Sequence, residues 1–342
     1  MKVFFPFGRN SNRFLDEIEY YFKGDFVYGE ISDYNKTYSI VNIHWPEAIF
    51  KWEDPSEDAL KYFEEALKKW QKYSKIVYTV HNENAHSRNF KNSKKLYELV
   101  IIYSDAFVHL GDFSKKMLVS NYPETKSKLH EIIPHPLYLK YKKSINILEA
   151  RKKLNLPEHA KVVLVFGNIR DKKEYKLIFK AFNKLKVKNK ILLISRMPYF
   201  LDWVPSWRLK TFFKWLKKFY FSLFSKYKFF YDFVKQDEIP LYFSAANVVF
   251  IPRIKQLNSG NVYLGLSYNK VVVGPNIGNI GEALSNKYHC LFNPKNINSV
   301  VEALEKGLSS NKNLDYTQQY KFHIPDNVTK RYESFFTRLL NE

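Results

Sequence analysis

"AKVVLVFGNIRDKKEY" (160–175) is the stretch on which the fold turns. Five apolar residues, Val162 to Phe166, run into Gly167, and charged residues then open a segment with apolar positions at helical spacing. A run apolar on successive residues is a strand covered on both faces, as in a parallel sheet flanked by helices. The same unit recurs downstream in "KNKILLIS" (188–195), "ANVVFIP" (246–252), "KVVVGP" (270–275) and "HCLFN" (289–293). Upstream it recurs in "KVFFPF" (2–7), "SIVNIHW" (39–45), "KIVYTVH" (75–81), "AFVHLG" (106–111) and "HEIIPHP" (130–136). Segments such as "EDALKYFEEALKKWQKY" and "SKKLYELVIIYS" lie between, with apolar residues three and four apart. "SINILEARKKLNLP" (144–157) reads as a helix closed by Pro157, which puts a boundary near 150–158. The expectation is an α/β protein of two doubly wound domains, 1–150 and 151–325, with strand ends and ligands around a shared cleft.

Composition bounds the partners. The 342 residues include 55 Lys+Arg against 34 Asp+Glu, a net charge of +21 that would suit nucleic acid, anionic lipid or a phosphorylated small molecule. One cysteine, Cys290, excludes an internal disulfide and fits a reducing compartment. The start, "MKVFFPFGRNSN", is too briefly apolar for a signal peptide, and no window has the length to span a bilayer. The expected place is the cytoplasm, in solution or against a membrane surface.

Three stretches of the second half are built for an anion. Gly167 ends a strand where backbone can approach a ligand, and Arg170 and Lys173 follow with positive charge. "NSGN" (258–261), that is Asn258, Ser259, Gly260 and Asn261, stands where the next helix begins, and a helix start presents free N–H groups. "VVVGPNIGNIGEALSN" adds a strand, a glycine-rich turn and Glu282, a carboxylate suited to sugar hydroxyls. The ordinary alternatives are a helix cap for Ser259 and solvated surface charge for Arg170 and Lys173.

In this order, the three stretches resemble the donor-binding domain of group-1, family-4 type glycosyltransferases of the GT-B architecture, which has two Rossmann-like domains. "VNIHWPE" (41–47), "YTVHNENAH" (78–86) and "IIPHPLY" (132–138) resemble the family's first domain. "DNVTKRYESFFTRLL" resembles its final helix, which implies that 326–342 returns to the first domain. The resemblance implies transfer of a sugar from a nucleotide-diphosphate donor to a glycan or a polyprenyl-linked acceptor, in cell-surface polysaccharide synthesis. Two departures stand out. The family's two glutamates seven residues apart are missing, with Leu264 and Gly265 near the second place, and Asn247 replaces a common aspartate.

The resemblance further implies that Gly8 and Arg9 approach the diphosphate and that His81 lies beside the transferred sugar. His44, Asn82, Glu83, His86 and His135 are candidates for the acceptor side, and Asp16 joins Glu83 and His86 as a possible base for an inverting course. A retaining course needs no protein base. Arg170, Lys173 and the amides of Ser259 and Gly260 suit the charge that grows on the leaving diphosphate. No D-x-D triplet occurs and His and Cys never assemble at zinc spacing, so no metal or other cofactor is expected.

One segment fits none of this. Within 202–233, "DWVPSWRLKTFFKWLKKFYFSLFSKYKFFYDF", Arg208 to Lys228 holds seven basic residues and no acidic one. An apolar stripe including Leu209, Phe212, Leu216 and Tyr220 recurs at helical spacing, with Trp207 and Trp215 off it. Read as an insertion, it is an interfacial helix meeting the inner face of the membrane through Trp207, Lys210, Lys214, Trp215, Lys217 and Lys218. Rival readings are a basic nucleic-acid-binding protein, which shows no reading motif here, a catalytically silent scaffold of the same fold, and an epimerase of the same architecture.

Overall fold

The apolar runs are strands, and each passes into a helix. The computed structural model describes residues 1–9, 12–82, 91–140, 142–201, 204, 206–286, 288–310 and 319–342. The chain starts with β1 (Lys2–Phe5), α1 (Arg13–Tyr21), β2 (Asp25–Tyr28), β3 (Ile40–Ile43) and α2 (Pro46–Ile49). It continues through α3 (Glu57–Trp70), β4 (Lys75–Val80), α4 (Ser93–Tyr103), β5 (Ala106–His109), α5 (Asp112–Asn121) and β6 (Leu129–Ile132). These strands form one parallel sheet in the order β2-β1-β3-β4-β5-β6. α3 shows why the pattern folds as it does. Ser56 caps its start by accepting from the Ala59 N–H, acidic Glu57 and Asp58 open it, and Lys68 and Lys69 close it, all matching the helix dipole. Leu60, Phe63, Leu67 and Trp70, three or four apart, are its buried face.

The second sheet is built from α6 (Ile147–Lys153), β7 (Lys161–Val165), α7 (Lys172–Lys184), β8 (Lys190–Ile194), α8 (Trp207–Ser222) and β9 (Tyr227–Phe229). Then come α9 (Ile239–Ala245), β10 (Val248–Phe250), α10 (Gly260–Ser267), β11 (Val271–Pro275), α11 (Gly278–Ala283), β12 (Cys290–Phe292) and α12 (Ile297–Ser309). Its order is β12-β11-β10-β7-β8-β9, all parallel. The strand order reverses between β7 and β10, and in the first sheet between β1 and β3. In such sheets ligands sit outside the carboxyl ends of the strands at that reversal.

The two units are Met1–Lys140 with Tyr320–Glu342, and Tyr141–Gln319. The division thus falls at Lys140, earlier than the 150–158 expected, because α6 belongs to the second unit. Arg151 on α6 donates to the Ala245 carbonyl and to Asn247 Oδ1. Asn247 Oδ1 also accepts from the Val162 N–H at 2.8 Å, so this residue clamps strand ends. Likewise the chain rejoins the first unit at Tyr320, before the expected 326. α13 (Pro325–Asn341) packs beside α1, and Val328, Tyr332, Phe335 and Phe336 enter the first unit's core.

Two strands escaped the reading of the sequence, β2 and β9. Both are edge strands, four and three residues long and at most half-buried, too short to stand out as runs. β9 changes the meaning of 202–233. That segment is no insertion but the crossover β8–α8–β9, and it adds the last strand of its sheet.

Candidate functional site

In the second unit the site candidates converge on the turn after β7. Gly167 has φ +77°, a left-handed conformation that only glycine takes without strain. A Cβ there would lie 3.2 Å from the Asn261 amide nitrogen. Three elements hold this turn. Ser195, just past β8, accepts from the Gly167 N–H at 2.8 Å. Asn261, in the first turn of α10, donates to the Phe166 carbonyl at 2.6 Å. Arg253, just past β10, donates from Nη1 and Nη2 to the Asn168 carbonyl, each at 3.2 Å. The turn therefore sits at the β7/β10 reversal with the start of α10 against it.

Arg253 and Glu174 form the buried support of that turn, and neither was singled out from the sequence. Arg253 Nη1 lies 2.6 Å from Glu174 Oε2. The same carboxylate oxygen accepts from the Arg170 N–H at 2.8 Å. Glu174 lies in the first turn of α7, where Asp171 accepts from the N–H groups of Lys173 and Glu174. That helix start is therefore already satisfied. The Arg170 side chain reaches solvent. Desolvation, with the Arg253 charge behind it, lowers its guanidinium to about 10, which leaves it cationic at neutral pH. Lys173 is exposed on the same helix start.

The start of α10 differs. Ser259 is buried and stands at the cap position, yet its side chain makes no capping bond. The N–H groups of Gly260 and Asn261 meet no acceptor among the described residues. Two amides beside Gly167 are thus open at a helix N-terminus, the arrangement that holds a phosphate. Asn258 is engaged otherwise, accepting from the Asn279 side chain at 2.9 Å. Gly278, φ +53°, lets the chain pass Leu257, whose carbonyl would be 2.8 Å from a Cβ. Glu282 lies exposed on α11. The place near the absent second glutamate also has a reason. A Cβ on Gly265 would stand 2.7 Å from a Val272 methyl, so α10 lies flush on its sheet and admits no side chain there.

In the first unit, three of the expected histidines gather around one ring. Phe14 of α1 meets His44 at 5.6 Å, His81 at 4.8 Å and His135 at 4.9 Å between centroids, each edge to face. His44 Nδ1 is 2.8 Å from His81 Nε2, and Trp45 stacks on His81 at 4.4 Å. Burial pushes the His44 and His135 imidazoles down to about 3, so both are neutral. His135 Nδ1 donates to the Pro136 carbonyl at 2.7 Å and Nε2 faces the Tyr138 hydroxyl at 3.3 Å, which fits a packing role. Asn82 is half-buried beside the Tyr97 hydroxyl, which in turn donates to buried Glu47 at 2.8 Å. Glu83 and His86 lie outside the described residues. Gly8 is exposed with open space about it. Arg9 is paired to Glu19 at 2.7 Å and lies 4.0 Å from Asp16, so its charge is already matched. No group of three metal-ligating side chains occurs among the described residues.

α8 leaves much apolar surface outward and covers its unit only with the half-buried Lys210, Phe213, Lys217 and Phe221, the last packed on the core. Its expected apolar stripe faces outward, with Leu209, Phe212, Leu216 and Tyr220 all exposed, and Trp207 is 72% and Trp215 58% exposed. No residue of α8 is buried. The inward face carries Lys217, whose ammonium donates to the Pro198 carbonyl at 2.9 Å and lies over the Tyr175 ring at 5.2 Å. Lys217 is therefore a domain contact and not the membrane contact expected of it. Lys210 is half-buried, while exposed Lys214 and Lys218 lean over Tyr199 and Tyr231. No helix among the described residues is long and apolar enough to cross a membrane.

Residues 146–323 match the family model of the group 1 glycosyl transferases. Among curated protein sequences none matches the chain. A glycosyltransferase from Rickettsia africae ESF-5 is similar in structure, with TM-score 0.68 and 14% identity over 99% of this chain and 98% of that one. Anabaena Alr3699/HepE, solved in complex with UDP and glucose, has TM-score 0.64 and 12% identity over 98% and 95%. Sucrose-phosphate synthase from Thermosynechococcus elongatus has TM-score 0.64 and 13% identity over 89% and 74%. At such identities the likeness is one of fold, two doubly wound domains of the GT-B kind.

Proposed function

Because the chain belongs to the glycosyl transferases of group 1, we propose that it moves a sugar from a nucleotide-diphosphate donor to a glycan or lipid-linked acceptor in cell-surface polysaccharide synthesis. The observation that carries the donor assignment is the open pair of amides at Gly260 and Asn261 against the left-handed turn at Gly167. Arg170 and Lys173 bring two cations to the same strand end. The UDP and glucose held by the similar Anabaena structure support a donor of that chemistry.

In this reading the bond between the anomeric carbon and the diphosphate oxygen breaks, and negative charge gathers on that oxygen. Arg170, Lys173 and the two amides stabilise the charge as it develops. His81 places the sugar by a hydrogen bond to one of its hydroxyls. The acceptor oxygen bonds to the anomeric carbon, and its proton passes to the leaving diphosphate oxygen, which retains configuration without a protein base. The absence of a D-x-D triplet supports a metal-free reaction, with side-chain cations in the role of the ion.

The outward face of α8 supports contact with the inner membrane surface. Exposed aromatic rings beside Arg208, Lys214 and Lys218, with no acidic residue in the helix, match an anionic lipid interface and a polyprenyl-linked acceptor. Incubation with UDP-, GDP- and CDP-sugars, read by release of the free nucleotide, tests the activity. Release that falls at least a hundredfold in Arg170→Ala supports the reading. Release from none of them rejects it.

A further inference from the structure

The first unit holds two histidine pairs, one buried and one with the half-buried His130, and the second reveals its protons. His109 Nε2 is 2.8 Å from His130 Nδ1, and His130 Nε2 is 2.9 Å from the Thr125 carbonyl oxygen. A carbonyl only accepts, so His130 carries its proton on Nε2 and takes the His109 proton at Nδ1. The nitrogen left without a partner, His109 Nδ1, is then a bare lone pair.

The His44–His81 pair poses the same problem. His44 Nδ1 is 2.8 Å from His81 Nε2, while His44 Nε2 is buried and has no hydrogen-bond partner. If His81 donated, the proton of neutral His44 would sit on Nε2, as a buried N–H with no acceptor. Orphan N–H groups are the rarer and costlier defect. If His44 donates from Nδ1, only a lone pair goes unmet, as at His109. We infer that His44 donates its Nδ1–H to His81 Nε2 and thereby holds His81 in the tautomer protonated on Nδ1.

His44 is thus a positioning residue. Trp45, stacked at 24°, and Phe14, meeting the ring at 82°, set the plane of the His81 imidazole, and His44 sets which nitrogen bears hydrogen. The neutral His81 ring then carries its hydrogen on Nδ1 and keeps its Nε2 lone pair for His44. The functional meaning rests on the proposed place of His81 beside the sugar; the tautomer itself does not.

The test is a two-dimensional nitrogen–hydrogen spectrum of the nine histidine rings in the free full-length protein. His81 is assigned by the loss of its signals in His81→Asn. The wild type should show His81 with hydrogen on Nδ1 and a bare Nε2. His44→Asn, whose amide can stand where Nδ1 stood, should keep that pattern. His44→Leu should move a measurable fraction of His81 to the Nε2–H form and lower turnover of UDP-glucose about tenfold, against about threefold or less for His44→Asn. Hydrogen on His81 Nε2 in the wild type, or an unchanged tautomer in folded His44→Leu, overturns the inference. Should His44→Leu fail to fold, the wild-type spectrum decides alone. An unchanged turnover in His81→Asn would remove His81 from the sugar while leaving the His44 assignment intact.

Discussion

Arg253 Nη1 lies 2.6 Å from Glu174 Oε2, with the two side chains 6% and 2% exposed. The pair ties the end of β10 to the first turn of α7, and Arg253 also grips the β7 turn through the Asn168 carbonyl. Removing one partner leaves a buried charge unmatched. Arg253→Met should lower stability by about 3–5 kcal/mol in urea unfolding, and adding Glu174→Gln should recover part of that loss. A single variant within about 1 kcal/mol of wild type would show that the pair does not hold the turn.

Gly167→Ala tests the turn from the other side. The φ of +77° costs an L-residue about 1–2 kcal/mol, and the new methyl presses on Asn261 at 3.2 Å. Stability should fall by roughly that amount and donor affinity should fall with it. Asn261→Ala relieves the contact but not the backbone strain, so the double variant should remain less stable than Asn261→Ala alone. Equal stability of those two would contradict the account.

Most strands were legible because they are apolar on successive residues, as in β7 and β8, a pattern that survives without any knowledge of contacts. β2 and β9 were not, since they are only four and three residues long and half-buried, which leaves little pattern to read. Gly167, Ser259 and Gly260 could be found because a glycine or a cap residue at a strand end is a local signal. Arg253 and Glu174 gave none. Each looks like a surface charge until the fold brings them together across 79 residues. The facing of α8 was illegible for a similar reason: spacing shows that a stripe exists, while only the partner strands show which side is covered.

Buried histidines set a pH dependence. Burial, helped by the Lys115 charge and by His130 once that ring is protonated, lowers His109 to about 3, against an ordinary value near 6.5 in the unfolded chain. Between those values the unfolded chain binds a proton that the native state refuses. Stability therefore stands full above about pH 6.5 and falls as pH drops, by up to about 1.4 kcal/mol per pH unit for this group. Urea midpoints from pH 7 to pH 5 should show a slope that flattens by about that amount in His109→Asn. An unaltered slope would mean that His109 is already charged in the native state.

The outward aromatic face of α8 predicts two separable effects on vesicles. Trp215→Ser with Phe219→Ser should weaken sedimentation with both neutral and anionic liposomes, since apolar area leaves water in each case. Lys214→Gln with Lys218→Gln should weaken it with anionic liposomes alone. Lys217→Gln should act mainly on folding stability, because its ammonium is bound to the Pro198 carbonyl. Sedimentation indifferent to all of these would place the α8 face outside any membrane contact.

A crystal structure with whichever of UDP-, GDP- or CDP-glucose binds most tightly by calorimetry goes straight to the central claim. Diphosphate oxygens should lie within hydrogen-bond distance of the Gly260 or Asn261 N–H, with Arg170 or Lys173 on the same phosphates. A diphosphate held elsewhere, with the start of α10 left empty, would contradict it.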